Sequence, residues 1–224
     1  MSYTFDFAAV WTHAPELARG AGLTLLLSAE TMLCGLTIGL VGAVSQAYGS
    51  KLTRSLIATW IEVTRNTPLL IQLFLIYFGL PQFGIRLDAN IAALLGLSLY
   101  LGAFATEIIR AGLESIPRGQ VEAGLALGMR RFQILRHILL VPAMYAVAPA
   151  LAGQFVIVML TSSVVSTISA DELASVTNGL QTVTFRPFEF YLTASLIYLS
   201  LALAFRGVHG VAVRRYLSSG QIGR

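Results

Sequence analysis

ILLVPAMYAVAPALAGQFVIVMLTSSVVSTISA, residues 138–170, contains no Asp, Glu, Lys or Arg. An α-helix needs about 20 predominantly apolar residues to cross roughly 30 Å of hydrocarbon. This run therefore holds one membrane span and the start of a connecting segment. The same criterion, applied outward in both directions, finds four more. Toward the N-terminus lie residues 23–48, interrupted only by Glu30, a second span that starts near Leu56 with its uncharged part at 66–85, and a third at 89–106. Toward the C-terminus the shorter run 190–205 borrows Tyr191 and Arg206 as interfacial edges. The expected fold is all-α, a polytopic membrane protein of about five transmembrane helices.

Composition agrees. The 224 residues are 56% hydrophobic and 12% charged, whereas soluble domains carry about 25% charged residues. Disorder requires low hydrophobicity, a disulfide scaffold many cysteines, and collagen a glycine period; the chain has one cysteine, Cys34, and a mean hydropathy of +0.75. The net charge of +4 is informative through its placement. Lys51 and Arg54 follow span one; Arg110, Arg118, Arg130, Arg131 and Arg136 follow span three; Arg206, Arg214, Arg215 and Arg224 follow span five. The other side has Arg19, Arg86 and Arg186 against Asp6, Glu16, Asp88, Asp171, Glu172 and Glu189. The positive-inside rule then puts the N-terminus outside and the C-terminus in the cytoplasm, and the basic balance reads as topology, not as a nucleic-acid surface. Residues 1–19 lack a basic cluster before an apolar core, so they do not read as a cleavable signal. The expected organisation is a short extracytoplasmic N-terminus at 1–19, a membrane domain at 20–216 and a cytoplasmic tail at 217–224.

One cytoplasmic stretch is too patterned for a connector: SIPRGQVEAGLALGMRRFQILRHILLVP, residues 115–142. Pro117 and Gly119 break the preceding helix, Glu122 suits a helix N-terminus, and Arg130 and Arg131 suit a C-terminal end. The pattern predicts a short, separately capped helix. Ala123, Gly124 and Gly128 recur along one side, where they would let another backbone approach. Physics alone leaves two readings open, a docking surface or a helix lying among lipid headgroups.

These residues resemble the membrane-spanning permease subunits of ATP-binding cassette importers for polar amino acids. Glu122, Ala123, Gly124, three residues, Gly128, nine residues and Ile138 resemble that family's EAA loop, whose coupling helix inserts into a groove of the cytoplasmic ATPase. TRNTPLLIQLFLIYFGLP at 64–81 and TFRPFEFY at 184–191 are similar to two further segments of the amino-acid branch. The resemblance runs from about residue 20 to 216. It implies a type I importer fold with a coupling helix at about 118–131, and force transmission through Glu122, Ala123, Gly124, Leu125, Leu127 and Gly128. It also implies two ATPase subunits, a second permease subunit, the same or related, and an extracytoplasmic solute-binding protein, all at the bacterial inner membrane. There are departures. Gly124 stands where the signature has a second alanine, Pro142 comes one residue later than the pattern would place it, and Leu160, Thr161 and Ser162 stand where many relatives have a lysine-aspartate-threonine run.

The chain has no phosphate-binding GKS or GKT loop, so ATP and magnesium would belong to a partner, and no cofactor is expected here. His13, His137 and His209 are scattered and Cys34 has no companion, which supports neither a metal centre nor an enzyme. A secondary transporter subunit driven by an ion gradient is the alternative. Ionisable residues at membrane depth are costly and are functional candidates by default. Glu62 with Arg65, and Glu107 with Arg110, are each three apart and can pair on one helix face; Glu30 has no local partner apart from a serine such as Ser28. A zwitterionic solute would need polar groups near the midplane, and Asn66, Thr67 and Gln72 in span two and Thr161, Ser162, Ser163 and Ser166 in span four are placed to supply them. Pro68 removes a backbone donor and can break span two beside such a path. The equal alternative for the hydroxyls is helix-to-helix glue, the role also expected of the Gly35 and Gly39 pair.

Overall fold

Pro68 has no amide hydrogen and disfavours a helical conformation at the residue before it. Thr67 (φ −113°, ψ 134°) and Pro68 (φ −58°, ψ 136°) are accordingly extended, and the second apolar stretch is broken there. Helix α3, Lys51–Asn66, ends before the break and α4, Leu69–Phe74, begins after it, running on through a π-helical turn at Leu75–Gly79 and a 3-10 turn at Leu80–Phe83. The computed structural model describes residues 4–220, except the side chains of Val141 and residues 209–220. The side chains of His209, Arg214 and Arg215 and the whole of residues 221–224, Arg224 included, therefore lie outside the described residues, and with them part of the tail expected at 217–224.

The regular secondary structure of the described residues is all helical, without strands. A short α1, Ala8–Thr12, leads into α2, Ala14–Tyr48; α5 is Ala89–Glu114, α6 Arg118–Ala126 and α7 Arg131–Ile134. After a π-helical turn at Leu135–Leu139 follow α8, Leu140–Thr161, a 3-10 segment at Ser162–Ile168, α9, Leu173–Thr184, and α10, Pro187–Gly220. Four segments are long and apolar enough to cross a membrane, Ala14–Tyr48, Ala89–Glu114, Pro142–Ile168 and Pro187–Val208, and the broken α3 and α4 make a fifth. Four of the five expected spans are continuous and the second is bent by 113° at Thr67–Pro68. The helices of spans one, three and five outrun the uncharged stretches that signalled them, whereas the fourth, Pro142–Ile168, is shorter than the run 138–170.

The chain forms two compact units, to both of which α2, α5 and α8 contribute residues. The first comprises residues up to 32, 68–97 and from 155 onward. Its core gathers Val10, Leu17, Leu173, Phe190 and Ala194, and a second cluster joins Val156, Met159 and Ala202. Polar ties hold the connecting segments down. The buried Glu172 carboxylate caps α9 by accepting from the Ser175 amide (2.7 Å) and also receives the hydroxyls of Tyr198 and Thr24. The buried Glu189 accepts from the Asp6 amide (2.9 Å), and Arg186 donates to the Thr4 carbonyl (2.8 Å). Asn90 and Asp171 exchange two hydrogen bonds, of 2.7 and 3.1 Å.

The second unit comprises residues 33–67 and 98–154. Here the glycines of α2 seat α5: a Cβ at Gly35 would lie 2.7 Å from Leu101, and one at Gly39 would lie 2.5 Å from the Ala105 side chain and 3.1 Å from its backbone. The glue expected of this pair is present, because only hydrogen fits in the contact. Ile134, Leu135 and Leu139 form a further core with Val44, Leu113, Val121 and Ile138 around them.

Candidate functional site

The loop between α5 and α8 is built around Gly128. Helix α6 ends at Ala126, Leu127 caps it, and Gly128 takes the left-handed conformation, φ +74°. The Met129 amide donates to the Gly124 carbonyl (3.0 Å) and the Gly128 amide to the Leu125 carbonyl (2.9 Å). These two bonds make a Schellman motif, which satisfies carbonyls that a helix end otherwise leaves open. Gly128 is thus a backbone requirement, not part of a smooth face. The expected helix at 118–131 is corrected on two counts. Arg130 and Arg131 do not close it; they start the next helix, where the Arg130 amide donates to the Gln133 side chain (2.8 Å). Glu122 is the fifth residue of α6, whose first turn holds no acid, so it does not complement the helix N-terminus.

Gly124 points inward. A Cβ there would meet Ile138 at 2.9 Å and Ile134 at 3.0 Å, so the departure from alanine lets α6 lie close on the chain's own α7 and the turn beyond it. Glu122, Ala123, Ala126 and Gly128 are exposed, and so are two large apolar residues, Leu125 at 52% and Leu127 at 81%. The segment before Pro142 is not a regular α-helix. A π-helical turn closes its hydrogen-bonded ring over one more residue than an α-turn, and Leu135–Leu139 is such a turn in the interval before Pro142. Helix α8 begins directly after it, at Leu140.

The ionisable residues assemble differently from the sequence expectation. Glu107 and Arg110 do pair, with two contacts of 3.1 Å, and Arg110 reaches on to Glu114 at 2.7 Å. Glu62 and Arg65 do not form the expected pair. Glu62 instead receives the Asn66 amide (2.8 Å) through its carboxylate and its carbonyl. Arg65 crosses to α5, where it lies 3.5 Å from Glu107 and 5.4 Å from the Phe104 ring centre. The i,i+3 rule gives partners within one helix and is blind to a partner on another, which is why this contact escaped it. Glu30 is exposed and the buried Ser28 hydroxyl makes no hydrogen bond, so that suggested contact is absent.

In the first unit α4, with Gln72, packs against the 3-10 segment that carries the serines. The hydroxyls there turn back on their own helix: Thr161 donates to Ile157 (2.7 Å), Ser162 to Met159 (2.7 Å), Ser163 to Leu160 (2.9 Å) and Ser166 to Ser163 (2.7 Å). Ser162 is fully buried, whereas Thr161, Ser163 and Ser166 are half-buried, as are Gln72 and, in the second unit, Thr67. Each hydroxyl that has used its proton in this way still presents oxygen lone pairs, so it is an acceptor for an external donor. The segment ends at Ser169, which adopts a left-handed conformation (φ 61°) otherwise favoured by glycine. Sequence reasoning also missed the Glu172 and Glu189 clusters, having read those acids only as topology; a carboxylate three residues before Ser175, at the head of a helix-periodic segment, was the signal for the first.

Residues 35–218 match the family described as the binding-protein-dependent transport system inner membrane component. The chain belongs to that family. It is 33% identical over 201 residues to the glutamine transport system permease protein GlnP of Escherichia coli (strain K12), covering 89% of this chain and 92% of GlnP. It is 32% identical over 215 residues to the arginine transport system permease protein ArtQ of Bacillus subtilis (strain 168), covering 96% and 98%. A solved structure described as an amino acid ABC transporter with histidines superposes with a TM-score of 0.88 at 34% identity, covering 95% of this chain and all of that one. The chain is therefore an ABC importer permease of the inner membrane component family, a transport subunit and not an enzyme. The expected type I importer architecture is the one observed.

Proposed function

We propose that this permease forms half of the translocation path for an amino acid or an amino-acid-like solute. Two ATPase subunits in the cytoplasm would bind ATP and magnesium and hydrolyse the nucleotide, and an extracytoplasmic binding protein would deliver the solute. The second half of the path is another copy or a related chain. Relatives named for glutamine and arginine support the substrate class. The N-terminus lies outside and the C-terminus inside, following the distribution of Lys and Arg.

The observation that carries the reading is the α6 loop. Leu125 and Leu127 are exposed on a helix whose end is locked by the Gly128 turn and whose inner side is closed down on Ile134 and Ile138 through Gly124. An exposed apolar pair on a short, braced helix suits insertion into a groove of a partner. Glu122, Ala123, Leu125, Leu127 and Gly128 then form the ATPase contact, with Gly124 supporting it from within. The residues assigned to the solute path are Glu62, Arg65, Asn66 and Thr67 in the second unit and, in the first, Pro68, Gln72, Thr161, Ser163 and Ser166, with Ser162 shaping its segment from the buried side. Within the first unit the acceptor hydroxyls suit an ammonium group, and within the second Arg65 suits a carboxylate. Reconstitution of the complex with its cognate binding protein, followed by a ligand screen for stimulated ATP hydrolysis, tests the reading. Stimulation by an amino acid is expected; stimulation only by an unrelated solute such as a sugar would overturn the substrate class.

A further inference from the structure

A cavity of about 280 Å³ lies at the cytoplasmic end of the second unit, lined by Val44, Tyr48, Arg131, Phe132 and Leu135. None of its lining residues is among those assigned to the ATPase contact or the solute path. Its position follows from the helices that build it. Tyr48 is the last residue of α2, where the apolar span stops; Arg131 and Phe132 open α7, and Leu135 opens the turn that leads into α8. Tyrosine and arginine at the end of an apolar span mark the headgroup level of a bilayer. Val44 and Leu135 give the cavity apolar walls, and Phe132 stands 68% exposed beside it.

Of the residues that line the cavity only Arg131 is charged; on the helices packed beside it, Glu114 is paired with Arg110 and Glu122 is exposed on α6. Lys51, Arg54, Arg130, Arg131 and Arg136 fall within residues 44–59 and 129–170, and neither stretch contains an Asp or Glu. Arg54 is engaged, donating to the carbonyls of Gly49 (3.0 Å) and Ala47 (3.2 Å) at the end of α2. Arg131 forms no ion pair among the described residues. A guanidinium beside an apolar cleft, at headgroup depth and without an internal counterion, has the chemistry of a seat for a phosphate with an attached acyl chain. We propose that this cavity binds one anionic phospholipid of the cytoplasmic leaflet. Its phosphate is held by Arg131, and its first acyl segment lies against Val44, Phe132 and Leu135.

The test uses the purified permease–ATPase complex in nanodiscs of phosphatidylcholine with a minor fraction of phosphatidylglycerol, with retained lipids counted by native mass spectrometry after detergent extraction. Wild type should retain phosphatidylglycerol in preference to phosphatidylcholine. Arg131→Gln should lower that retention about fivefold, the worth of one cation at a membrane surface. Arg131→Lys should restore most of it, Val44→Trp should abolish it by filling the cavity, and Arg118→Gln, an exposed arginine that does not line the cavity, should leave it unchanged. Three results would overturn the proposal: equal retention of phosphatidylcholine, an Arg118→Gln loss as large as that of Arg131→Gln, or an Arg131→Gln variant that keeps its lipid but loses ATPase co-purification in lipid-free detergent. The last would reassign the cavity to the ATPase interface.

Discussion

Substitution of Gly128 separates backbone conformation from surface contact. The residue has φ +74°, and a Cβ built on it meets nothing within 4 Å. The whole intramolecular cost of a side chain is therefore conformational, about 1–2 kcal/mol for an ordinary L-residue held in the left-handed region. Asparagine visits that region far more readily, so Gly128→Asn should recover much of the loss, while Gly128→Val adds the penalty of branching. If the ATPase binds the loop only in its Schellman form, a strain of this size weakens docking by a factor of about 5–30. The expected order of ATPase affinity, read by titrating the ATPase onto permease in nanodiscs, is Gly, Asn, Ala, Val. Gly128→Trp adds bulk on the exposed side and should abolish co-purification while membrane insertion remains normal. An asparagine variant no better than alanine would refute the conformational argument, and a tryptophan variant that co-purifies normally would refute the docking assignment.

Gly39→Ala should push α2 off the α5 backbone and destabilise the fold by about 1–3 kcal/mol, whereas Gly22→Ala, with nothing near its Cβ, should be neutral or stabilising by up to about 1 kcal/mol; thermal unfolding in detergent distinguishes them, and equal effects would contradict the helix contact. Glu172→Ala removes a cap and the carboxylate acceptor of the Thr24 and Tyr198 hydroxyls, at about 1 kcal/mol for the cap and about 1 more for each lost hydrogen bond, since Thr24 keeps its bond from the Leu173 amide. Glu172→Gln keeps an acceptor and should cost less than half as much in the same assay. Arg65→Ala and Glu107→Ala should be non-additive, by no more than about 1 kcal/mol because Arg65 is partly exposed. A double-mutant cycle with a coupling of zero would dissolve that contact between α3 and α5.

Four spans were legible because charge is costly at membrane depth, so long runs with few charges mark the crossings, and Pro68 marks by covalent geometry the break of the second apolar stretch. The Gly35 and Gly39 contact was legible for a related reason, since close packing in lipid selects small residues at fixed spacing. What stayed hidden depends on pairings across the fold. Arg65 has an acid three residues before it in sequence and another on α5, and spacing favours the former while the folded chain uses the latter. Glu172 and Glu189 carry charges that suited an outer loop, yet both are buried against the chain's own donors. Gly128 was visible as a motif glycine, but its reason, a left-handed turn closing α6, appears only with the hydrogen bonds of Met129 and Gly128.

Uptake by reconstituted vesicles tests the central claim most directly. The permease, its ATPase subunits and its binding protein are placed in proteoliposomes, and entry of a labelled amino acid is measured with lumenal ATP or with a proton gradient and no nucleotide. The structure of the α6 loop predicts uptake that requires ATP and the binding protein and is lost in Gly128→Trp. Uptake driven by the gradient without ATP would contradict it.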